Sequence, residues 1–397
     1  MKPRPLVIVY PFFAHYRTGV FRELAQKATL EGRCLIIITG RDSREPDLKE
    51  ADLQGWIRET GSTIHEVRNR WIPYPLLWQS GVLWWLHRVQ RADVIFLGVM
   101  YHLSTWIGIL VCRLKGHQVH FWSHGMLRRE AGLRKFLRTT FYNLADGMMV
   151  FSERSKLLCE RAGVTVPIVN IKNSMDLPLE APSPPLSNEQ RCQYRLREGL
   201  AVRPRLLFIG RIIAKYELPL LFTALRLLHD QDPVGAPGLV LIGDGPARKD
   251  CEALVRQLGL DAMVTWAGAV YDHDQLQFLL KGVDLCVIPA RAGLSVVHAM
   301  AFGIPVVTDR DLDRQMPESE AVVEGSTGFR FDAGDPKDLA SVIRQALPVP
   351  QEMRIRCAET VRNDFSPQAQ AERILQFSGY LSQPRRARFP KAFFQGR

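Results

Sequence analysis

Pro289-Ala290-Arg291-Ala292-Gly293-Leu294-Ser295-Val296-Val297-His298-Ala299-Met300-Ala301-Phe302-Gly303-Ile304-Pro305-Val306-Val307 reads in order as a strand end, a glycine loop, a helix, a second glycine and a strand. A loop of this kind, opening a helix, would present backbone N–H groups to a phosphate or a sugar. His298 lies about one turn inside that helix, where it could reach a ribose hydroxyl or sit as a satisfied core histidine. Upstream the same rhythm recurs. Leu206–Ile209, Leu239–Ile242, Val264–Trp266, Leu285–Ile288 and Val306–Val307 read as strands, and Leu218, Leu221, Leu225 and Leu228 share one face of a helix. Strands alternating with helices imply a parallel sheet covered on both faces, because parallel strands need long crossovers. The first half repeats the pattern at Leu6–Tyr10, Leu35–Thr39, Val94–Leu97, Val119–Trp122 and Met148–Phe151. The chain is therefore α/β, with two Rossmann-like halves.

Its 397 residues match two domains, since one domain usually takes roughly 100–200. Pro178, Pro182, Pro184 and Pro185, with Ser183 and Ser187 among them, favour an extended chain over packed structure. The expected division is a first domain at 1–176, a linker region at 177–203 and a second domain at 204–365. Ser366 and Pro367 form a helix start, and the helix of about 366–382 is expected to return to the first domain. The tail at 383–397 holds Arg385, Arg386, Arg388, Lys391 and Arg397 without an acid, and reads as mobile.

A composition of 46% hydrophobic and 23% charged residues excludes disordered and collagen-like chains. The seven cysteines include no C-x-x-C pair and fit reduced core residues in a cytosolic protein. Neither a signal peptide nor a run long enough to span a membrane is read. The net charge of +11 implies an anionic partner: nucleic acid, anionic lipid or phosphate. No nucleic-acid-binding motif accompanies the charge, so nucleic acid is not expected.

Gly210-Arg211 ends a strand, and Lys215 follows four residues on. An arginine fork and a lysine point charge at a strand end suit a diphosphate, although two solvated surface cations would read the same way. Gly243-Asp244-Gly245 follows the next strand, as either a close approach to a ligand or a tight turn would require.

Taken together these pieces resemble glycosyltransferase family 4, a retaining family with the GT-B fold. The resemblance runs from Pro11-Phe12-Phe13-Ala14-His15-Tyr16-Arg17, through Asn173-Ser174-Met175-Asp176, to Gly293–Val307 and Gly325–Gly328. It implies two Rossmann-like domains facing each other across a cleft. It also implies transfer of a sugar from a nucleotide-diphosphate donor, held mainly by the second domain, to a glycan or lipid-linked acceptor on the first, as in bacterial surface polysaccharide or glycoconjugate synthesis. Arg211 and Lys215 fall where the family holds the diphosphate, the lysine one residue early. His124, in Trp122-Ser123-His124-Gly125, falls beside the reacting sugar. Gly210, Gly243, Gly245, Gly293, Leu294, Ser295 and His298 are the further donor-side candidates, and His15, Tyr16 and Arg17 the acceptor-side ones. The family's two glutamates, eight positions apart, fall on Ala290 and His298, so both carboxylates are absent. A histidine can still bond two hydroxyls. Gln315-Met316-Pro317-Glu318 and Glu320-Ala321 look like a bacterial subfamily with the same Gly-Leu-Ser and histidine. The competing reading is a catalytically silent nucleotide-binding or scaffold protein on the same fold.

Retention without a carboxylate nucleophile suggests front-face attack, with the leaving diphosphate taking the acceptor's proton. The scattered histidines lack ligand spacing, so neither a metal nor another cofactor is expected. Arg128, Arg129, Arg134, Lys135 and Arg138 lie along a helix whose other face carries Leu133, Leu137, Phe141 and Leu144. That is the pattern of a basic amphipathic helix on anionic lipid, or of a solvated face on a core helix. Trp71, Trp78, Trp84 and Trp85 would suit an interface or a core equally. The expected location is cytoplasmic, with a peripheral position on the inner face of the cytoplasmic membrane as the extension of that helix.

Overall fold

The structure is a computed structural model describing residues 3–42, 44, 50–176 and 184–382. Two compact units divide them: one runs to Asp176 and resumes at Ser366, and the other lies between.

The first unit holds β1 (Leu6–Tyr10), β2 (Leu35–Thr39), β3 (Thr63–Glu66), β4 (Arg68–Trp71), β5 (Leu77–Ser80), β6 (Asp93–Leu97), β7 (Gln118–Trp122), β8 (Gly147–Val150) and β9 (Ile168–Asn170). Seven of these form a parallel sheet in the order β3-β2-β1-β6-β7-β8-β9, while β4 and β5 pair as an antiparallel hairpin. Every residue of β1 is buried, as a strand covered on both faces requires. One face carries the helices Thr18–Leu30, Leu53–Thr60 and Pro367–Ser382; the other carries Val82–Arg88, Leu103–Lys115, Gly132–Asn143 and Glu153–Ala162. The returning helix begins at Ser366, whose hydroxyl accepts from Ala369 N at 3.2 Å. It packs on Thr18–Leu30, with Lys27 and Glu372 paired at 2.8 Å and Ser174 Oγ donating to Gln370 at 2.7 Å.

The second unit holds β10 (Arg205–Ile209), β11 (Gly238–Ile242), β12 (Val264–Gly268), β13 (Leu285–Ile288), β14 (Val306–Asp309) and β15 (Gly328–Phe331). They form one parallel sheet in the order β12-β11-β10-β13-β14-β15. Counted within each unit, both sheets run 3-2-1-4-5-6, the doubly wound order, and the first adds a seventh strand. Each reverses direction once, between β1 and β6 and between β10 and β13. The carboxyl ends at that reversal are where such sheets open a crevice.

The linker region expected at 177–203 is corrected from Leu186 onward. Ser187 and Gln190 form a capping box that starts the helix Asn188–Arg197. On that helix the buried Arg191 donates to the carbonyl of Phe302 at 2.9 Å, and Arg195 pairs with the buried Asp284 at 2.8 Å. A fully desolvated arginine must have its donors met, so this helix is part of the second unit. The linker residues 177–183 lie outside the described residues, as does the basic tail at 383–397. Among the described residues no helix is long and apolar enough to cross a membrane.

Candidate functional site

At the reversal point of the first unit the ends of β1, β6, β7 and β8 surround a cavity of about 600 Å³. Ser123 fixes the turn after β7: its hydroxyl donates to Gly98 O at 2.9 Å and accepts from Gly125 N at 3.1 Å. Gly125 sits at φ +65°, with Val150 and Cys159 3.1–3.2 Å from where a Cβ would lie, so a side chain in this turn would be strained and crowded. His124 is thereby aimed into the cavity, edge-on to Phe151 with ring centroids 4.8 Å apart. The residue is exposed there. The surrounding protein, and then the charge of Arg17, hold its pKa below the ordinary histidine value. Arg17 is 4% exposed, donates to Asn173 at 2.7 Å, and lies over the rings of Tyr16, Trp122 and Phe151 at 5.1–5.5 Å. Among the acceptor-side candidates Tyr16 and Arg17 line the cavity, whereas His15 is exposed outside it.

Arg138 needs correction as a membrane-facing residue. It turns inward to line the cavity, its Nε 3.0 Å from Glu130. Arg128, Arg129 and Arg134 do face solvent and Lys135 is half-buried. The apolar side of this helix is split: Phe141 is in the core, while Leu133, Phe136 and Leu137 are 72%, 64% and 42% exposed. Tyr74 and His102 on the cavity wall were missed, and Trp71, read as an interface or core ring, lines the cavity too. The hairpin carrying Trp71 has no strand-like apolar run, and His102 stands alone in the sequence. Burial pushes the pKa of His102 down to about 4.

In the second unit the loops after β10 and β11 are locked together. A Cβ on Gly243 would lie 1.9 Å from Gly210 O, and one on Gly245 2.3 Å from Ile212 O. Both glycines are therefore required by backbone approach. Gly210 also approaches the helix Leu294–Ala301: its Cβ position lies 3.8 Å from Ser295 Oγ. Arg211 and Lys215 follow on the same loop, both exposed. The glycine loop before the helix is held by Gln315, whose side chain accepts from Ala292 N at 2.7 Å and donates to Thr308 and Asp309 at 2.9 Å. Gly293 caps the helix, Leu294 opens it, and His298 is half-buried one turn on.

Three further residues join this cluster. Burial pushes the Tyr216 hydroxyl above its usual pKa, with Arg291 and Arg211 opposing and Glu318 adding to the rise, so all three charges lie near it. Arg291 takes φ +58°, a strained conformation for a non-glycine residue, and Glu318 Oε2 lies 3.8 Å from the Cβ position of Gly293. Nothing in the spacing of Tyr216 or Arg291 marked them. Among the described residues no three metal-ligating side chains come together in a way that could hold an ion.

Residues 197–364 match the family model for glycosyl transferases group 1. Among curated proteins, the chain is 31% identical over 168 residues to the sulfoquinovosyl transferase SQD2 of Arabidopsis thaliana, covering 41% of this chain and 30% of that one. It is 25% identical over 253 residues to the GDP-mannose-dependent alpha-(1-6)-phosphatidylinositol monomannoside mannosyltransferase of Mycolicibacterium smegmatis, covering 61% and 62%. These matches span less than two thirds of either relative. Over the whole chain, the crystal structure of Anabaena Alr3699/HepE in complex with UDP is similar, with a TM-score of 0.69, 15% identity, and coverage of 94% of this chain and 99% of that one. A glycosyltransferase from Rickettsia africae gives 0.70, at 15% identity and 96% and 99% coverage. The fold is GT-B. A GT-B chain is built from two Rossmann-like domains, and both are present here with one strand order. Within this GT-B protein the family-model match covers the second unit almost alone, which is the unit carrying Arg211, Lys215 and the helix Leu294–Ala301.

Proposed function

We propose that the protein is a retaining glycosyltransferase of family 4 type. It takes a sugar from a nucleotide-diphosphate donor held by the second unit and passes it to a glycan or lipid-linked acceptor entering the cavity of the first. The observation carrying this is the cluster after β10, where Arg211 and Lys215 share a loop whose Gly210 abuts Ser295 on the first turn of Leu294–Ala301. Two cations beside a helix N-terminus suit a diphosphate. Relatives and neighbours named for GDP-mannose and UDP support the donor class.

In the proposed reaction the bond from the sugar's anomeric carbon to the diphosphate breaks as the acceptor oxygen bonds that carbon on the same face. The acceptor's proton passes to the departing diphosphate. Arg211 and Lys215 stabilise the charge growing there, which is preorganised electrostatic catalysis. His124, held neutral at pH 7, can accept a hydrogen bond from a sugar hydroxyl. With Ala290 and His298 where the family has glutamates, His298 takes the ribose contact, and contact from residue 290 is left to backbone. No metal takes part.

The proposed acceptor chemistry also gives a use to the exposed helix face of the first unit. Leu133, Phe136 and Leu137 there, with Ile107, Leu110 and Leu114 on the neighbouring helix, are apolar and exposed. Between Leu103 and Asn143 stand Arg113, Lys115, Arg128, Arg129, Arg134 and Lys135, beside the inward-turned Arg138, against the single acid Glu130. Such a surface suits the anionic cytoplasmic face of a membrane, where a lipid-linked acceptor would be met.

The testing experiment is a thermal-shift panel of UDP, GDP, ADP and CMP with their common sugar conjugates. A ligand at ~100 times its Kd stabilises the native state by about 2.7 kcal/mol, so one base should stand out. No stabilisation by any would overturn the donor site and leave the silent scaffold.

A further inference from the structure

We propose that the cavity of the first unit takes an acceptor that carries a negative charge, a glycan bearing a carboxylate or phosphate group, in preference to a neutral sugar. This rests on the reading of that cavity as the acceptor site.

The argument is the chemistry of the wall. Among the described residues twenty-one line the cavity, and none of these is Asp, Glu, Asn or Gln. The hydroxyls of a neutral sugar both donate and accept, and they are satisfied by side chains that can accept as well. Here the charged side chains of the wall are Arg17 and Arg138, and guanidinium groups donate only. The Tyr10 hydroxyl joins them; burial pushes it above the usual tyrosine value, so it stays protonated and uncharged. An oxyanion accepts from every one of these groups, and a guanidinium meets a carboxylate or phosphate with two parallel bonds. The rings of Tyr16, Trp71 and Tyr74 supply apolar faces on which a sugar ring can lie.

The electrostatics point the same way. Glu130 pairs with Arg138 at 3.0 Å and with Arg134 at 3.2 Å but is not part of the wall. His102 and His124 both have depressed pKa values and are neutral at pH 7. The Arg17 charge already opposes protonation of His124, and a bound anion would offset it.

The test uses the whole protein with its nucleotide site saturated by whichever nucleoside diphosphate stabilises it. Glucose, glucuronate, glucose 6-phosphate and inorganic phosphate are titrated calorimetrically. The expected result is that glucuronate or glucose 6-phosphate binds at least roughly tenfold tighter than glucose, in keeping with hydrogen bonds to charged groups. Which of the two wins tells a carboxylate from a phosphate. R138Q should narrow that preference and E130Q, which removes the competing carboxylate, should widen it, with circular dichroism showing both folded. Equal binding of glucose and the charged probes overturns the proposal, as does a preference that neither variant moves. Phosphate alone binding as tightly as glucose 6-phosphate overturns the glycan part. If no nucleoside diphosphate binds, the donor reading fails; the same titrations without nucleotide still decide the charge preference.

Discussion

The two units have the same strand order but finish their strand ends differently. In the first, Ser123 ties the end of β7 to that of β6 at 2.9 Å, and the strand ends still surround about 600 Å³ walled by rings and guanidinium groups. In the second, the loops after β10 and β11 are in backbone contact, Gly243 against Gly210 and Gly245 against Ile212. A cavity of about 420 Å³ there lies off to one side, between Leu218 and Leu254, and does not include Arg211 or Ser295. One topology thus yields a roomy site where large side chains follow the strands, and a tight cradle where glycines do. The first suits a bulky ligand held by side chains, the second a ligand held close to backbone.

The sharpest way to break this comparison is to fill the tight side. Gly243→Ala places a methyl 1.9 Å from a backbone oxygen at φ +140°. The backbone must move, and a loss of about 4 kcal/mol or more is expected. Gly61→Ala in the first unit is the control: it also has positive φ, but nothing lies within 4 Å, so about 1–2 kcal/mol should suffice. Urea unfolding of both variants checks it. Similar losses would mean that φ alone matters and that the loops after β10 and β11 can separate.

Next in size is the chemistry assigned to that cradle. Arg211→Ala should lower transfer by ~10²–10³ while leaving the melting temperature unchanged, because Arg211 is exposed and its removal opens no cavity. Steady-state assays with the donor found by thermal shift would read the effect. Near wild-type turnover would remove the diphosphate role from this loop.

How much of this was legible in the sequence follows from burial. Strands such as Leu6–Tyr10, Leu35–Thr39 and Leu239–Ile242 are apolar throughout because both faces are covered, and their bounds could be read directly. The edge strands β3, β9 and β15 are short and partly exposed or charged, so they carried no such run. The helix Asn188–Arg197 was hidden for the opposite reason: its anchors are Arg191 and Arg195, polar letters that read as solvated until their carbonyl partners are known. Arg138 misled in the same way, since helical spacing gives its face but not the cavity behind it. Gly243 and Gly245 fit either a close approach to a ligand or a tight turn, and the fold shows a close approach of the neighbouring loop.

Acid should act on the roomy side. His65, His102 and His117 all belong to the first unit, and burial lowers each pKa. A histidine with a depressed folded value contributes stability that is present above its unfolded value and lost as pH falls through the folded one. For His102 the window runs from 6.5 down to about 4, an effect of about 3 kcal/mol at most. Asp309 in the second unit has the opposite sign: burial raises its carboxyl, so protonation favours the native state there. Amide exchange at pH 5 should therefore rise in β6 and β7 more than in β10 and β13. Equal exchange in both sheets would show that the histidines titrate freely.

The smallest expected effect concerns the outer faces. The second unit exposes large apolar residues singly, Val234, Tyr271 and Phe278 among them, as any protein surface does. In the first unit Ile107, Leu110, Leu114, Leu133, Phe136 and Leu137 follow one another along two helices on one face of the sheet, with arginines and lysines between them. If that arrangement meets anionic lipid, Leu133→Ser with Phe136→Ser should weaken binding to phosphatidylglycerol vesicles by roughly tenfold at low salt. Phe278→Ser in the second unit should leave it unchanged. Because the basic residues remain, the double variant should retain its salt sensitivity, and a charge-only surface would show no loss at all. Equal weakening by Phe278→Ser would place the contact elsewhere and remove the distinction between the two faces.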